Sequence, residues 1–402
     1  MTADALLDAL RRPGTVLLDG PRRDPDTGRR GALLFAEPSA TLSAGGYDGV
    51  VPLLGALDGA LAKGHHVAGV LAYEAGYALE PGRFPDPLPP DGRLGWFGVY
   101  DAPREVAPDV LDAAFGSLAP PRVSALRFAW DRAAYARRLD AVRASIREGD
   151  VYQINLTAPF RFDIDPDDSL ALFAALRARQ AATYGAVVRE PGRDVLSVSP
   201  ELFFRVEGRT VRARPMKGTA PRGDTPRADA ALTDALLAGE KDRAENLMIV
   251  DLLRNDLSRV SRPGSVRVPA LFEPEHYETL TQMTSTVEAD LVPETGLREL
   301  FRALFPCGSV TGAPKLRAMQ RIGELEDGPR GVYCGAVGYA SPSADGALGA
   351  AAFSVAIRTA VVSGGAGRYD VGSGVVWDSR AEAEYAECQL KARVLTALAG
   401  DA

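Results

Sequence analysis

The sequence predicts a mixed α+β fold built on antiparallel sheets. Strand-like and helix-like segments follow one another in no regular βαβ order, and successive strands are joined by short Gly-, Pro- or Asp-containing turns. No internal repeat or low-complexity tract breaks that pattern. At 402 residues the chain is long enough for one large domain or two ordinary ones.

Over residues 1–117, short apolar runs alternate with Pro and Gly. Val16-Leu17-Leu18 and Ala32-Leu33-Leu34-Phe35 read as strands, Val51 to Ala62 as a helix, and Val67 to Tyr73 as a buried strand. Pro81 to Asp91 reads as a loop and Trp96 to Tyr100 as another strand. Around Ser117 to Pro121 a second folding unit begins, residues 121–402, with no flexible linker between the two. Asp131 is placed to cap a helix reaching about Glu148. Gly149-Asp150 stops it, and Val151 to Thr157 follows as a strand on which Gln153, Asn155 and Thr157 share a polar face.

Ser169 to Arg179 reads as a helix, and Ala186 to Val188, Asp194 to Val198 and Leu202 to Val206 as strands. Gly208 turns the chain into a strand closed by Pro215, which lacks a backbone donor and leaves Lys217 at a strand end. Helical signals cover Ala228 to Arg259 and Gly296 to Leu304, with Ser265 to Val268 strand-like between them. Gly331 to Tyr339 and Ala350 to Ile357 read as strands around a turn at Ser341 to Gly346. Ser379 with Glu382 forms a capping box for a last helix running to Leu398.

Composition narrows the function classes. Hydrophobic residues at 46% and charged residues at 25% fit a globular enzyme, and a formal charge of -7 without a basic stripe argues against nucleic acid. No run approaches the ~18 apolar residues of a membrane span, and Met-Thr-Ala-Asp opens without a positive signal region, so the expected compartment is the cytoplasm. Three widely spaced cysteines support neither a disulfide framework nor a Cys-x-x-Cys metal site. With three histidines in all, acid/base chemistry falls to carboxylates and lysines.

Several constellations have the residue types such chemistry needs. Glu245, Ile249, Leu252 and Asp256 stack on one helix face, where an acidic group is either wet or a partner for something cationic. Glu384, Glu387, Cys388 and Lys391 share another face, readable as an exposed salt-bridge stripe. That helix follows Gly372-Ser373-Gly374, whose amides can approach an anion closely. Carboxylates from two helices near such a loop suit Mg²⁺, which completes its octahedron with water and an anionic substrate. Gly308 to Lys315 superficially matches a phosphate loop, but Ala313-Pro314 separates Gly312 from Lys315 and breaks the Gly-Lys-Ser/Thr order. Arg358 offers a planar fork for a carboxylate.

Taken together, Ser199-Pro-Glu201, Arg214-Pro-Met-Lys-Gly-Thr219, Lys241-Asp-Arg-Ala-Glu-Asn246, Asp251-Leu-Leu-Arg-Asn-Asp256, Phe305-Pro-Cys-Gly-Ser-Val-Thr-Gly-Ala-Pro-Lys315, Ile357-Arg-Thr359 and Gly372-Ser-Gly-Val-Val376 resemble the chorismate-utilising enzymes. The motifs span about residues 121 to 402; Leu17-Leu18-Asp19 and Leu71 to Leu79 match the family's component I branch more weakly. The resemblance implies that family's large sandwich of antiparallel sheets flanked by helices. It implies Mg²⁺ at Glu245 and Glu387, with Glu384 acting through water, and chorismate's ring carboxylate near Lys391 and Gly372 to Gly374. It assigns the enolpyruvyl carboxylate to Arg358 and Tyr333, the ring border to Thr311, and general-acid protonation of the departing 4-hydroxyl to Glu201.

Two positions discriminate among the family's reactions. Members that add water carry a lysine base where this chain has Gln153, and members that make anthranilate carry alanine where it has Lys217. Lysine at the latter position implies covalent catalysis, with the amine adding at C2 and ammonia then adding at C4 to give 4-amino-4-deoxychorismate. Because a free lysine amine has a pKa of ~10.4, its site must favour the neutral form. The resemblance also implies a separate glutaminase subunit as the source of ammonia. One departure is Gln282, where many relatives have histidine. The competing expectations are anthranilate synthesis, a phosphoryl-transfer enzyme using Gly308 to Lys315, and a non-catalytic scaffold.

Overall fold

The computed structural model describes residues 1–20, 31–80, 82–84, 92–180, 183–277 and 280–399. Apart from residues 82–84, the loop expected from Pro81 to Asp91 lies outside the described residues.

Two ten-stranded antiparallel sheets face each other. The first runs, in spatial order, Gly312–Ala313, Gln153–Ile164, Ala366–Val375, Thr359–Ser363, Arg193–Ser199, Tyr184–Glu190, Val16–Gly20, Gly31–Phe35 and Arg104–Val106, with Val123–Phe128 also paired to Gln153–Ile164. The second runs Met216–Pro221, Leu280–Asp290, Thr210–Arg214, Leu202–Glu207, Leu348–Val355, Ala336–Pro342, His66–Leu71, Gly95–Tyr100 and Ala40–Ala44, with Arg267–His276 paired to Leu280–Asp290. Strands from residues 1–117 therefore extend both sheets formed by the rest of the chain. The rings of Phe204, Phe301 and Phe353, all fully buried, meet at centroid separations of 5.1–5.5 Å, within the range of favourable edge and offset contacts.

Most expected elements form. Asp131 caps the helix Arg132–Arg147, its carboxylate accepting from the Ala134 amide at 2.7 Å, and Ser169–Arg179 is helical end to end. Five expectations need correction. The helical stretch after Ala228 is two helices, Pro226–Ala238 and Glu240–Ser258, broken where Gly239 leaves helical geometry. Pro215 does not end pairing, because Met216–Pro221 resumes it against Leu280–Asp290 across a bulge. The strand expected from Gly331 starts only at Ala336, because residues 331–335 turn, with Gly331 and Cys334 at positive φ. Ser379 does not cap the final helix; its hydroxyl accepts from the Val376 amide, and the helix Ala381–Lys391 begins after Arg380. That helix also stops at Ala392, and a separate turn of helix follows at Arg393–Thr396.

Among the strands that went unforeseen are Leu280–Asp290 and Ala366–Val375, both interior to their sheets. Among the described residues, no helix is long and apolar enough to cross a membrane. All three cysteines are free and buried.

Candidate active site

The chain crosses from the first sheet to the second at Ser199-Pro200-Glu201 and back at Ala356-Ile357-Arg358. The two crossings are stitched together, Val355 N donating to Glu201 O at 3.1 Å and Val198 N to Arg358 O at 3.1 Å. One general-acid candidate and one carboxylate-binding candidate are thus fixed side by side by backbone. Arg358 takes a φ of 52°, a strained conformation for a non-glycine residue. Its guanidinium donates to the Lys391 carbonyl at 2.6 Å, closing the C-terminal end of the helix Ala381–Lys391.

Glu201 is 4% exposed, and its Oε1 accepts a 2.5 Å hydrogen bond from Ser309 Oγ. Burial pushes its carboxyl up to about 7, against the opposing influence of that bond and of the Lys217 and Lys391 ammonium groups. Lys217, on Met216–Pro221, lies 3.8 Å from Glu245 Oε2, both side chains being largely buried. Gln153 meets it from the first sheet. A Cβ on Gly374 would fall 2.4 Å from Gln153 Nε2 and 3.5 Å from Lys217 Nζ, so only glycine lets that strand approach so closely. Gln153 is 1% exposed, and among the described residues its Oε1 has no hydrogen-bond partner, an acceptor that burial normally requires to be used.

Lys391 Nζ donates to Gly372 O at 2.7 Å and pairs with Glu387 Oε1 at 2.6 Å, which ties the final helix to the glycine strand. Glu384 is buried on that helix, while Glu387 is 46% exposed at the side chain. Glu245 comes from the opposite side, on Glu240–Ser258, whose neighbour Asn246 accepts from Ser285 Oγ at 2.6 Å. Burial raises the Glu245 carboxyl above its usual range; Lys217 and Lys241 oppose this, and the like charges of Asp242 and Glu384 add to it. The charge of Glu384 on one helix thus reaches Glu245 on the other, whereas Glu387 is paired with Lys391. Among the described residues no three His, Cys, Asp or Glu side chains converge as a ready metal cluster. Mg²⁺ asks one or two carboxylates of a protein, with water and substrate oxygens filling the rest, and Glu245, Glu384 and Glu387 are donors of that type.

Thr311 is fully buried, its Oγ1 donating to Cys307 O at 2.8 Å, and Tyr333 is buried beside Cys334 and Arg330. Gln282 sits on Leu280–Asp290 opposite Thr219. The helix face singled out from Glu245 to Asp256 does meet cations at both ends, Lys217 and Lys241 at one and Lys315 at the other. Lys315 donates to Asp256 Oδ2 at 2.6 Å and to Leu304 O at 2.7 Å, so the lysine of the apparent phosphate loop is consumed in holding helices together.

Sequence reading missed Ser309, although it lies inside a motif it quoted, and it missed the buried pair of Arg330 and Glu326. The guanidinium of Arg330 donates to the carbonyls of Val310 and Asn155, and Glu326 accepts from Thr157 N and Oγ1. The pair itself has a local four-residue spacing, but its contacts to Val310, Asn155 and Thr157 join residues far apart in sequence. A separate cavity of about 140 Å³ lies between the sheets, lined by residues such as Asp19, Arg205 and Tyr339, and contains none of the expected site residues.

Comparison with known proteins agrees with this geometry. Residues 105–397 match the family model described as chorismate binding enzyme. The aminodeoxychorismate synthase of Streptomyces pristinaespiralis is 43% identical over 266 residues, 65% of this chain and 36% of that protein. Component 1 of the aminodeoxychorismate synthase of Klebsiella aerogenes is 40% identical over 298 residues, 74% of this chain and 62% of that protein. The chain thus spans less than two thirds of the length of either relative. Anthranilate synthase component I from Streptococcus pneumoniae shares the fold, with a TM-score of 0.76 at 25% identity and 92% coverage of both chains. With the matched region taking in both crossings, the glycine strand and the two acidic helices, the chain belongs to the chorismate-binding enzyme family.

Proposed function

We propose that this chain converts chorismate and ammonia to 4-amino-4-deoxychorismate, with Lys217 as a covalent nucleophile, in the cytoplasm and alongside a glutaminase subunit. The observation that carries the reading is Lys217 itself, placed beside Glu245, Gln153 and Gly374 at the junction of both sheets. The relatives named component 1 support a second component, and a glutaminase would supply the ammonia.

In this reading the neutral Lys217 amine forms a C–N bond at C2 as the C4–O bond breaks and the ring double bonds shift. Glu201 gives its proton to the departing hydroxyl, which leaves as water. Ammonia then bonds to C4, the amine leaves C2, and the proton shed by the new ammonium returns to Glu201. Arg358, with Tyr333, orients the enolpyruvyl carboxylate; Lys391 and the Gly372–Gly374 amides hold the ring carboxylate; Thr311 borders the ring. Gln153 offers its unused Oε1 to an N–H of the incoming amine. Glu245 and Glu387, with Glu384 through water, would hold Mg²⁺, which would neutralise charge at the substrate carboxylate.

Intact mass spectrometry after incubation with chorismate and Mg²⁺, ammonia withheld, tests the reading. The expected result is an adduct of chorismate less one water, absent from Lys217→Ala. Anthranilate fluorescence on adding ammonia, with no such adduct, would instead establish anthranilate synthesis.

A further inference from the structure

Ser309 stands on the turn Gly308–Val310 and is 6% exposed. Its Oγ has two polar neighbours here, Glu201 Oε1 at 2.5 Å and Cys307 Sγ at 3.2 Å. An ionised carboxylate only accepts, so with Glu201 charged the serine hydrogen must point to Oε1. The Cys307 thiol is pushed up to about 12 by burial and by Glu201, so it keeps its hydrogen and donates to Oγ. The resulting chain, S–H to Oγ and O–H to Oε1, uses every donor. When Glu201 takes up a proton, leaving the chain intact puts that proton on Oε2. Placing it on Oε1 would reverse the serine and aim the acid into the protein, away from any substrate.

We propose that Ser309, backed by Cys307, is a positioning residue that fixes the Glu201 carboxyl and directs its acid proton to Oε2, the oxygen left for the departing hydroxyl. This rests on the reading of Glu201 as the general acid. The charged and titratable groups facing Glu201 are Lys217 from Met216–Pro221, Lys391 from the final helix, and the thiols of Cys307 and Cys334. Lys391 is engaged by Glu387 and Gly372 and Lys217 is paired at 3.8 Å with Glu245, whereas Ser309 donates directly to Oε1.

The test uses the full chain with Mg²⁺ and a fixed concentration of free ammonia. For Ser309→Ala, kcat falls on the order of tenfold with little change in the KM for chorismate, since the acid is misaimed and binding is not. A hydrogen bond to the ionised form has been removed, so the alkaline limb of kcat/KM moves up by about one pH unit. The carboxylic-acid band of Glu201 in infrared difference spectra, assigned by its loss in Glu201→Gln, persists to correspondingly higher pH. Ser309→Thr keeps the hydroxyl and restores the limb; Ser309→Cys, a weaker donor of similar size, moves it in the same direction as alanine. An unmoved band and limb in Ser309→Ala and Ser309→Cys overturn the proposal. Near-normal turnover in Glu201→Gln would instead remove the general-acid reading beneath it.

Discussion

Lys217 Nζ and Glu245 Oε2 are 3.8 Å apart, an ion pair too long for a hydrogen bond, with the two side chains 14% and 15% exposed. The pair joins the end of one sheet to a helix covering it. It also couples the proposed nucleophile to a proposed metal ligand, so what occupies Glu245 governs how firmly the ammonium is held.

Removing Glu245 should therefore damage metal use before it damages the fold. Chelation is expected to abolish amination and added Mg²⁺ to restore it, while Glu245→Gln and Glu384→Gln raise the Mg²⁺ needed by on the order of 10–100-fold. Magnesium titrations of turnover, paired with calorimetric binding, check this. Full activity in chelator, or an unchanged requirement in both variants, rules out these carboxylates as the ligands.

Glu201 sets a pH limit with a definite sign. A general acid must carry its proton, and burial holds this carboxyl up to about 7. Activity is expected to fall about tenfold per unit above that pH, read as kcat/KM at constant free ammonia. Glu201→Gln should lose on the order of 10²–10⁴ in kcat. A profile with no such fall, in a protein whose Glu201→Gln variant turns over normally, would remove Glu201 as the acid.

Strands that are short apolar runs, such as Val16–Gly20 and Leu202–Glu207, were legible because the run itself marks a buried strand. Leu280–Asp290 was not. It is rich in polar residues, among which Glu288 is 8% exposed and paired with Arg212 and Arg267 from the strands on either side. Ala366–Val375 hid behind glycines that exist to let Gln153 and Thr157 come close. At the site, residue identities were readable through motif resemblance, while contacts such as Ser309 with Glu201, 108 positions apart, depend on where the two crossings meet. The Ser379 capping box failed for a similar reason, since its hydroxyl had a nearer amide in Val376.

Lys315 gives a clean discrimination against nucleotide chemistry. Its ammonium is bound to Asp256 and the Leu304 carbonyl, with the side chain 13% exposed and Asp256 7%. Lys315→Met should destabilise the chain by about 3 kcal/mol, because it leaves a buried carboxylate without its cation. ATP should not shift the melting temperature of the parent protein. A shift that disappears in the variant would revive the phosphate-loop reading.

The pair of Arg330 and Glu326 shows how the polar strand is held from behind. Nη2 reaches Glu326 Oε1 at 2.7 Å and Nε reaches Oε2 at 2.9 Å, with side chains 1% and 5% exposed. The guanidinium also lies 4.6 Å from the centroid of the Tyr73 ring and donates to Asn155 O at 2.6 Å and Val310 O at 2.8 Å, so it clamps Gln153–Ile164 to the turn carrying Thr311. Four of the five guanidinium N–H groups and both carboxylate oxygens are used, which makes removal of one partner costlier than removal of both. Arg330→Met should cost about 3–5 kcal/mol in chemical denaturation, and Arg330→Met with Glu326→Leu should recover part of it. The cycle should give a coupling of at least about 1 kcal/mol. Strict additivity would show that the two side chains are stabilised separately, with the carbonyl contacts of Arg330 and the Thr157 contacts of Glu326 acting as independent supports for the strand.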